Sequence, residues 1–398
     1  MRIGLVTAFP PGTQRLNEYG LNLAEQLRNK SCDFVVLADI YEPIEPELPG
    51  YAVDRCWRFN DLGTPFRLLS AARKHKADVV WFNLVYSTFG DNPLAAFVGL
   101  LTPLLLRIAG FRTHVTLHHL MENVELRHAD IRFPRLYLWG GSFITRFLLH
   151  AHKVSVLTES YRRVLMERYK APNINVRRHG ILGTQPQPPD FAQREREFRI
   201  LAFGKFGRYK RLEPMIDAFQ IIRREVPNAR LVIAGQDHPN RPGYMASLAR
   251  QHAGDPGMEF LGYVPEAELP RVFGGCNVAV LPYSSSGGPS GVAHQAAQFG
   301  LPVVASDIED VRIIADEENL AVDYYRPDDV QDLASTLVGL ANDPARQRRM
   351  AEQNYNAALA MTMPHIVAQY LSDFAVTDSE EAPQAALPLP DEEPRAAA

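Results

Sequence analysis

Short apolar, β-branched runs alternate with helical patterns along almost the whole chain. In the first half these runs are RIGLVTA (2–8), FVVL (34–37), DVVWF (78–82), THVTL (113–117) and VSVLT (154–158), with a helix predicted near 18–29. Strands that alternate with helices form parallel βαβ units whose sheet is covered on both faces. The pattern therefore predicts an α/β, doubly wound fold, and the lack of a fixed repeat argues against solenoids and coiled coils.

The alternation breaks once, at a stretch with three prolines and several polar residues between 181 and 197. The runs that follow the break are RILAFG (199–204), ARLVIAG (229–235), MEFLGYV (258–264), NVAVLPY (277–283) and LPVVAS (301–306), with a helix near 211–225. We therefore predict two Rossmann-like sheet domains, 1–180 and 198–360, joined by a linker over 181–197. A C-terminal helix over 361–376 is predicted to cross back to the first domain. The acidic, Pro- and Ala-rich tail over 377–398 is predicted to be disordered.

Composition narrows the class of protein. The 398 residues are 46% hydrophobic and 22% charged, as in soluble globular chains, and the length favours more than one domain. The net charge of −4 divides into +6 over residues 1–190 and −10 over 191–398. Such a split is consistent with an anionic partner for the first half or, more commonly, with solvated faces, and it does not indicate nucleic acid. The three cysteines lack metal or disulfide spacing, which fits a reducing, cytoplasmic location.

Two segments bear on contact with a membrane. The run 94–106 is too short to span a bilayer and is predicted to form a buried helix, with a membrane interface as the alternative. The segment 121–141 mixes basic residues with aromatic ones: Arg127, His128, Arg132, Arg135, Phe133, Tyr137 and Trp139. Such a mixture suits peripheral contact with an anionic membrane or a lipid-linked acceptor, but an ordinary solvated loop explains it as well.

A basic loop follows the first strand of the second half. The sequence GKFGRYKR carries four cations just before a helix: Lys205, Arg208, Lys210 and Arg211. Ligands of open α/β sheets bind beyond the carboxyl ends of the strands, and a helix start with nearby cations favours a diphosphate. The loop matches neither the P-loop nor the G-x-G-x-x-G pattern, so a solvated basic turn stays open as the alternative.

A glycine-rich loop, YSSSGGPSGVAHQAAQFG (283–300), leads into another helix of the second half. Its glycines allow close approach of the backbone to a ligand. Ser290 is a candidate N-cap, which would leave the N–H groups of Gly291 and Val292 near the helix start. The loop is a second candidate anion site, although glycine-rich loops are often only turns.

These segments, in this order, resemble the nucleotide-sugar-dependent glycosyltransferases of the GT-B fold, specifically the retaining family 4 group (glycosyltransferase group 1 type). The resemblance runs from Met1 to about Phe374. It is carried by HVTLHH, VLTESY and VRRHGI in the first half, and by RILAFGKFGRYKRLEPMIDAF, ARLVIAG, MEFLGYV, NVAVLPY and FGLPVVASDIEDVRIIAD in the second. It implies two Rossmann-like domains facing a cleft, with the donor in the second domain and the acceptor in the first.

The resemblance implies roles for particular residues. The donor diphosphate would be held by Gly204, Lys205 and Lys210, and Lys205 replaces a family arginine. His118 matches a histidine near the transferred sugar, so that His118, Lys205 and Lys210 are the catalytic candidates. His179 matches a recurrent histidine that we interpret as mainly structural.

The family's two glutamates, eight positions apart, are absent here. Gly287 and Gln295 stand in their places. Gln295 can still accept a hydrogen bond from ribose without charge assistance, while Gly287 has no side chain for the donor sugar. The donor-binding candidates are completed by the rest of the glycine-rich loop: Gly288, Ser290, Gly291 and Val292. In the loop after the first strand, the acceptor-binding candidates are Gly12, Glu18, Tyr19 and Gly20.

The predicted activity is transfer of a hexose from a nucleotide-diphosphate sugar to a carbohydrate or lipid-linked acceptor in polysaccharide or glycolipid biosynthesis. The resemblance implies retention at the anomeric carbon and no cofactor or metal, and the absence of an Asp-x-Asp motif is consistent with this. The missing glutamates leave a second hypothesis, a catalytically impaired relative that binds a nucleotide sugar or a protein. A nucleotide-sugar 2-epimerase is disfavoured, since the matched loops lack acidic groups for proton abstraction.

Overall fold

The computed structural model describes residues 1–11, 16–41, 48–121, 134–183, 185–191, 197–207, 210–238, 241–284 and 291–375, with the backbone alone for 134–139. Within these residues the chain forms two parallel sheets. The predicted tail 377–398 lies outside the described residues.

The first sheet has seven parallel strands in the order β3-β2-β1-β4-β5-β6-β7. The strands are β1 (Arg2–Thr7), β2 (Asp33–Asp39), β3 (Val53–Trp57), β4 (Val79–Leu84), β5 (Arg112–Leu117), β6 (Lys153–Val156) and β7 (Ile174–Val176). The helices between them are α1 (Asn17–Asn29), α2 (Thr64–Lys74), α3 (Pro93–Leu100), α4 (Thr102–Ile108), α5 (Pro134–Leu148) and α6 (Glu159–Tyr169). We call this part the N-terminal unit.

The second sheet has six parallel strands in the order β10-β9-β8-β11-β12-β13. The strands are β8 (Phe198–Phe206), β9 (Ala229–Asp237), β10 (Met258–Gly262), β11 (Val278–Leu281), β12 (Val303–Ser306) and β13 (Val322–Tyr325). The helices are α7 (Glu213–Glu225), α8 (Tyr244–Gln251), α9 (Leu269–Gly274), α10 (Gly291–Gln298), α11 (Glu309–Glu318), α12 (Val330–Ala341) and α13 (Pro344–Ala360), followed by α14 (Met363–Ala375). Strands β8–β13 and helices α7–α13 form the C-terminal unit.

Both sheets are covered on both faces, which explains their uninterrupted apolar runs. All six residues of β4 are buried, and so are all four of β11 and of β12. Each sheet separates two hydrophobic clusters, one on each face. Since every strand pair is parallel, the carboxyl ends of all strands in a sheet meet at one edge, where loops form a site.

Helix α14 leaves the C-terminal unit and packs on the N-terminal sheet. Its Tyr370 ring lies 4.6 Å from that of Trp81 on β4, and Phe374 lies 5.2 Å from the same ring. At the edge of the sheet, Arg177 Nε donates to Asp373 Oδ2 at 2.9 Å. The helix therefore contributes to the core of the unit on which it packs.

The α/β, doubly wound GT-B architecture predicted from the sequence is confirmed. The first sheet ends at Val176 and the second begins at Phe198, so the predicted linker 181–197 falls between the two sheets. Most of its described residues are at the surface, but Ile181 is buried and its N–H donates to Met361 O at 2.8 Å. The predicted domain boundaries, 1–180 and 198–360 with the linker 181–197, stay a prediction.

The apolar run 94–106 differs from the single buried helix that we predicted. It forms most of α3 and α4, which meet near Leu101 because Pro103 occupies the first turn of α4. Buried Leu100 and Leu106 face the core, whereas Leu94 is 59% exposed. In the described part of the chain, no helix is long and apolar enough to cross a bilayer.

Candidate functional site

A cleft of about 570 Å³ lies where the two units meet, at the carboxyl end of β8. The connection between the units contributes His179, Gly180, Ile181 and Leu182, and the N-terminal unit contributes Glu18. The C-terminal unit provides the remaining residues: Gly204, Lys205, Lys210, His238, Gly291, Val292, His294, Gln295 and Gln298. The cleft therefore combines residues from several regions of the chain that are far apart in sequence.

Two other cavities lie at the opposite edges of the sheets. One of about 680 Å³ is lined by Met1, Asp78 and Arg112, at the amino ends of β1, β4 and β5. The other, of about 330 Å³, includes Phe198 and Asn277 at the amino ends of β8 and β11. Since open α/β sheets bind ligands at the carboxyl ends of their strands, the interdomain cleft is the candidate site.

A glycine pair shapes the floor of the cleft. Gly204 on β8 and Gly235 on β9 are register partners, with φ of +138° and +137°. A Cβ on Gly235 would lie 1.8 Å from Gly204 O, and a Cβ on Gly204 would lie 3.5 Å from Val292. Only glycine adopts this backbone without strain, and at Gly235 the approach of Gly204 O leaves no room for a Cβ, whereas the contact of Gly204 with Val292 of α10 is an ordinary van der Waals one.

The two predicted lysines both line the cleft, in different surroundings. Lys205 is exposed, whereas Lys210 is partly buried, with its Nζ 4.2 Å from the centre of the Tyr283 ring. Of the other cations predicted in this loop, Arg211 forms an ion pair with Asp328 and does not line the cleft. Arg208 lies outside the described residues.

Helix α10 begins at Gly291 and brings Gly291, Val292 and Gln295 to the cleft wall. Gln295 is partly exposed, so its amide can reach a ligand. The remaining donor-binding candidates of this loop, Gly287, Gly288 and Ser290, lie outside the described residues. The structure thus brings part of the predicted donor site together: Gly204, Lys205, Lys210, Gly291, Val292 and Gln295.

His118 follows β5 and is only 8% exposed. Its Nε2 donates to Asn83 Oδ1 at 2.7 Å, and its ring lies 4.6 Å from Tyr19 and 5.8 Å from His179. Burial, aided by neighbouring His119, lowers the pKa of His118 to about 3, so its imidazole is neutral at physiological pH. It contacts rings at the cleft without being one of the lining residues.

The acceptor-binding candidates differ in their exposure. Glu18 is exposed in the first turn of α1 and lines the cleft. Tyr19 is 2% exposed, and burial raises its pKa to about 12. Gly20 is buried at the helix-strand contact, where a Cβ would lie 2.5 Å from Thr7 Oγ1. Gly12 and the segment 122–133 are outside the described residues.

A buried histidine-glutamate pair forms part of the cleft wall, and sequence reasoning missed it. His294 Nε2 lies 2.7 Å from Glu318 Oε2, with side chains 4% and 1% exposed. The ring of His179 stacks on that of His294 at 5.5 Å. Burial lowers the pKa of His179 well below its ordinary value, and neighbouring His294 and His118 add to the effect. The one signal in the sequence was that His294 directly precedes Gln295, a predicted donor-binding residue, which could have placed it near the cleft.

The described residues contain no cluster of three or more His, Cys, Asp or Glu side chains arranged to hold a metal ion. The site is instead defined by two lysines, a helix start and buried imidazoles. Groups of this kind suit an anionic ligand such as a diphosphate.

Comparison with known proteins agrees with this chemistry. Residues 197–343 match the family model described as Glycosyl transferases group 1. This match agrees with the resemblance to glycosyltransferase group 1 that the motifs of the second half carry. No curated protein sequence matches the chain.

Several solved structures share the fold of most of the chain at low sequence identity. Sucrose-phosphate synthase from Thermosynechococcus elongatus is 18% identical, with a TM-score of 0.67, over 94% of this chain and 98% of that one. HepE from Anabaena, solved in complex with UDP, is 16% identical, with a TM-score of 0.66, over 94% and 99% of the two chains. WaaG, a glycosyltransferase involved in lipopolysaccharide biosynthesis, is 14% identical, with a TM-score of 0.63, over 94% and 100%. At these identities the likeness concerns the fold.

Proposed function

We propose that this GT-B chain is a retaining hexosyltransferase that takes a sugar from a nucleotide-diphosphate donor bound in its C-terminal unit. The observation that carries the proposal is the cleft wall on which Lys205, Lys210 and the start of α10 converge. HepE, which has the same fold, was solved with UDP and with UDP-glucose. The match of residues 197–343 to Glycosyl transferases group 1 supports the same chemistry.

The donor diphosphate is the group whose charge the site offsets. When the bond between the anomeric carbon and the phosphate oxygen breaks, negative charge develops on the departing diphosphate. Lysine charges and helix N–H groups fixed beside that oxygen stabilise the charge without rearranging, which is a large source of catalysis. We assign this role to Lys205 and Lys210, with Gly204 admitting the diphosphate close to the backbone.

The nucleotide and sugar would be recognised by neighbouring groups. Gln295 is proposed to accept a hydrogen bond from the ribose through its amide oxygen. Backbone N–H groups of Gly291 and Val292 are proposed to face the phosphates. His118, neutral and hydrogen-bonded to Asn83, is proposed to lie near the transferred sugar once the cleft is occupied.

Retention is proposed to follow a same-face route. The acceptor oxygen bonds to the anomeric carbon from the side that the diphosphate leaves, and the departing phosphate oxygen takes the acceptor proton. No carboxylate is assigned as a nucleophile. Glu18 lines the cleft from the N-terminal unit and is proposed to hydrogen-bond an acceptor hydroxyl.

The acceptor is proposed to be a carbohydrate or a lipid-linked saccharide, in polysaccharide or glycolipid assembly. The involvement of WaaG, which has the same fold, in lipopolysaccharide biosynthesis supports this class. Contact with an anionic membrane through 121–141 stays a prediction. Co-sedimentation with liposomes of phosphatidylcholine, with and without phosphatidylglycerol, tests it, and a lack of salt-sensitive binding would exclude that contact.

A panel of UDP-glucose, UDP-galactose, GDP-mannose and ADP-glucose tests the proposed activity. Thermal shift reports binding, and release of the nucleoside diphosphate reports turnover, each with and without EDTA. We expect stabilisation by at least one donor and slow hydrolysis that EDTA does not abolish. Stabilisation with neither hydrolysis nor transfer would identify a binding module in place of an enzyme, as the substitutions at Gly287 and Gln295 allow.

A further inference from the structure

The cleft contains a buried ionic pair to which the proposed function assigns no role. His294 and Glu318 lie 24 positions apart, on α10 and at the end of α11, and form a 2.7 Å hydrogen bond in a nearly fully buried setting. Burial lowers the pKa of His294, but the Glu318 carboxylate outweighs that effect, so the pKa is raised above its ordinary value. The raised pKa favours the protonated form of His294.

The polarity of the pair is fixed by its place in the fold. His294 lines the cleft, whereas Glu318 is not among the lining residues. The positive end of the pair thus faces the cleft that holds Lys205, Lys210 and the start of α10. A charge held in this protected setting is screened less than a charge on the surface.

The pair also leaves polar atoms without partners. Among the described residues, His294 Nδ1, Glu318 Oε1 and His179 Nδ1 are all covered and lack a hydrogen-bond partner. An imidazolium carries a proton on both nitrogens, so His294 has one N–H donor that the described residues do not satisfy. A buried donor without a partner is destabilising, and a ligand oxygen at Nδ1 would supply that partner.

We propose that His294, held as an imidazolium by Glu318, is a further donor-binding residue that presents a positive charge and an N–H group to the donor diphosphate. The inference rests on the proposed nucleotide-sugar site and deepens it. His294 would add a third cation to the two lysines, next to the position where Gln295 replaces a family carboxylate. Glu318 acts as a positioning residue, because it contacts His294 and not the ligand.

Few other ionisable groups face His294. His179 stacks on it from the connection and stays neutral, since its pKa is well below the ordinary value. Glu18, Lys205, Lys210 and His238 share the cleft. Strand β11 contains no ionisable residue. The charged side chains of α13, which also packs on α10, are exposed.

The charge state of His294 gives the test its readout. The intact nucleotide sugars of the panel carry diphosphate diesters that do not titrate between pH 6 and 8.5. If the imidazolium binds the donor, affinity is highest while His294 is protonated and falls as pH rises through its titration. Isothermal titration of the panel into wild type, His294→Gln and Glu318→Gln over this range measures Kd and its pH dependence.

We expect both variants to bind the donor about tenfold more weakly at pH 6, the size of one charge-assisted hydrogen bond. We also expect both to lose the part of the pH dependence of Kd that the titration of His294 causes. The matched control is His75→Gln, which removes another histidine-carboxylate pair, His75 Nε2 to Asp54 Oδ2 at 2.6 Å, away from the cleft. Its Kd should equal that of the wild type at every pH.

Several outcomes overturn the inference. If either folded variant keeps the wild-type Kd and pH profile while Lys210→Ala weakens binding, the site is real and His294 has no part in it. A wild-type affinity that rises with pH over the same range also overturns the inference, even if both variants fail to fold. If the folded wild type binds no nucleotide sugar, the proposed function fails first, and the two failures are thereby distinguished.

Discussion

At the scale of single residues, neighbouring cations of the loop after β8 have different roles. Lys210 is partly buried at the cleft, with Nζ over the Tyr283 ring. Arg211 turns away and pairs with Asp328, where the two side chains are 43% and 61% exposed. The sequence pattern predicted one basic cluster, but only the structure separates the cations that line the cleft from the one that does not.

Replacing Lys210 by alanine should raise the donor KM and lower kcat. The lost cation acts on the diphosphate both in the bound donor and in the transition state, where its charge grows. We expect kcat/KM to fall by at least about tenfold, because a hydrogen bond to a charged group contributes about 1.5–3 kcal/mol. Steady-state kinetics with the best donor of the panel measures both constants.

The matched control is Arg211→Ala, one position further along the chain. Its exposed ion pair contributes little, so kinetics and stability should stay close to those of the wild type. Equal kinetics for Lys210→Ala and wild type would show that Lys210 is not a donor ligand.

At the scale of secondary-structure elements, long continuous apolar runs predicted most strands correctly, whereas strands without such a run were not predicted. The apolar runs that became β1, β4, β8 and β9 were located within one or two residues. Strands β3, β7 and β13 were not predicted, because VDRCW, INV and VDYY are short or lack a continuous apolar run. These strands depend on pairing with a neighbour at the edge region of a sheet, and local sequence does not encode that neighbour.

The residues of the candidate site, like the strands, were predictable only in part. Lys205 lies at the end of β8, Lys210 in the loop that follows it and Gln295 in the second turn of α10, and the position of these segments beyond the strand ends follows from the alternation of elements. The His294–Glu318 pair was not predictable, because it depends on how α10 and α11 pack. His179 was interpreted as mainly structural, and nothing local indicated that its ring would meet His294.

Helix α1 reaches the end of β1 only because residue 20 is glycine. A Cβ there would lie 2.5 Å from Thr7 Oγ1 and 2.8 Å from Ala8 O. Gly20→Ala should therefore lower the free energy of unfolding by about 1–3 kcal/mol, the usual cost of overpacking a core. Urea unfolding followed by circular dichroism measures the change.

Gly339→Ala provides the control for this substitution. Gly339 lies inside α12, and a Cβ there would have no atom within 4 Å beyond its own helix. Alanine should raise the stability by about 0.5–1 kcal/mol through helix propensity alone. If Gly20→Ala were as well tolerated as Gly339→Ala, the close contact between α1 and β1 would be absent in solution.

At the scale of the whole molecule, one carboxylate joins the two units directly. Glu317, at the end of α11, accepts hydrogen bonds from two backbone N–H groups at the start of α6. These are Ser160 N to Oε1 at 2.8 Å and Glu159 N to Oε2 at 2.6 Å. An anion at a helix N-terminus satisfies free N–H groups and the helix dipole together. The contact therefore holds the start of α6, in the N-terminal unit, against Glu317, which is next to Glu318 in the sequence.

Glu317→Ala should loosen this contact between the units. We expect a loss of about 1–2 kcal/mol in the free energy of unfolding, and faster hydrogen exchange at the amides of Glu159 and Ser160. Hydrogen exchange followed by mass spectrometry measures the start of α6. Glu352→Ala, at an exposed position of α13, is the control, and unchanged exchange in Glu317→Ala would rule out the contact in solution.

Buried neutral histidines should make the fold sensitive to acid. Burial lowers the pKa values of His114 and His118 to about 3 from 6.5. Below pH 6.5 these histidines bind protons in the unfolded chain but not in the folded chain. The free energy of unfolding therefore falls as pH falls, by up to about 1.4 kcal/mol per pH unit for each histidine. His294 has the opposite sign, since its raised pKa gives stability that is lost as pH rises through the folded value.

Urea unfolding at pH 7, 6 and 5 tests this pH dependence. The free energy of unfolding should decrease over this range. In His114→Asn the decrease should be smaller, because the variant lacks the contribution of His114 to the pH dependence. This comparison of slopes does not depend on the absolute stability of the variant. An equal slope in variant and wild type would mean that His114 is protonated in the folded chain.

The central claim is that the cleft wall of the C-terminal unit binds a nucleotide-diphosphate sugar through Lys205 and Lys210. Isothermal titration of UDP-glucose, UDP-galactose, GDP-mannose and ADP-glucose into wild type, Lys205→Ala, Lys210→Ala and Arg211→Ala tests it most directly. We predict saturable binding of at least one donor to wild type and Arg211→Ala, with affinity about tenfold lower in each lysine variant. Absence of binding to the folded wild type, or equal affinity in all four proteins, would contradict it.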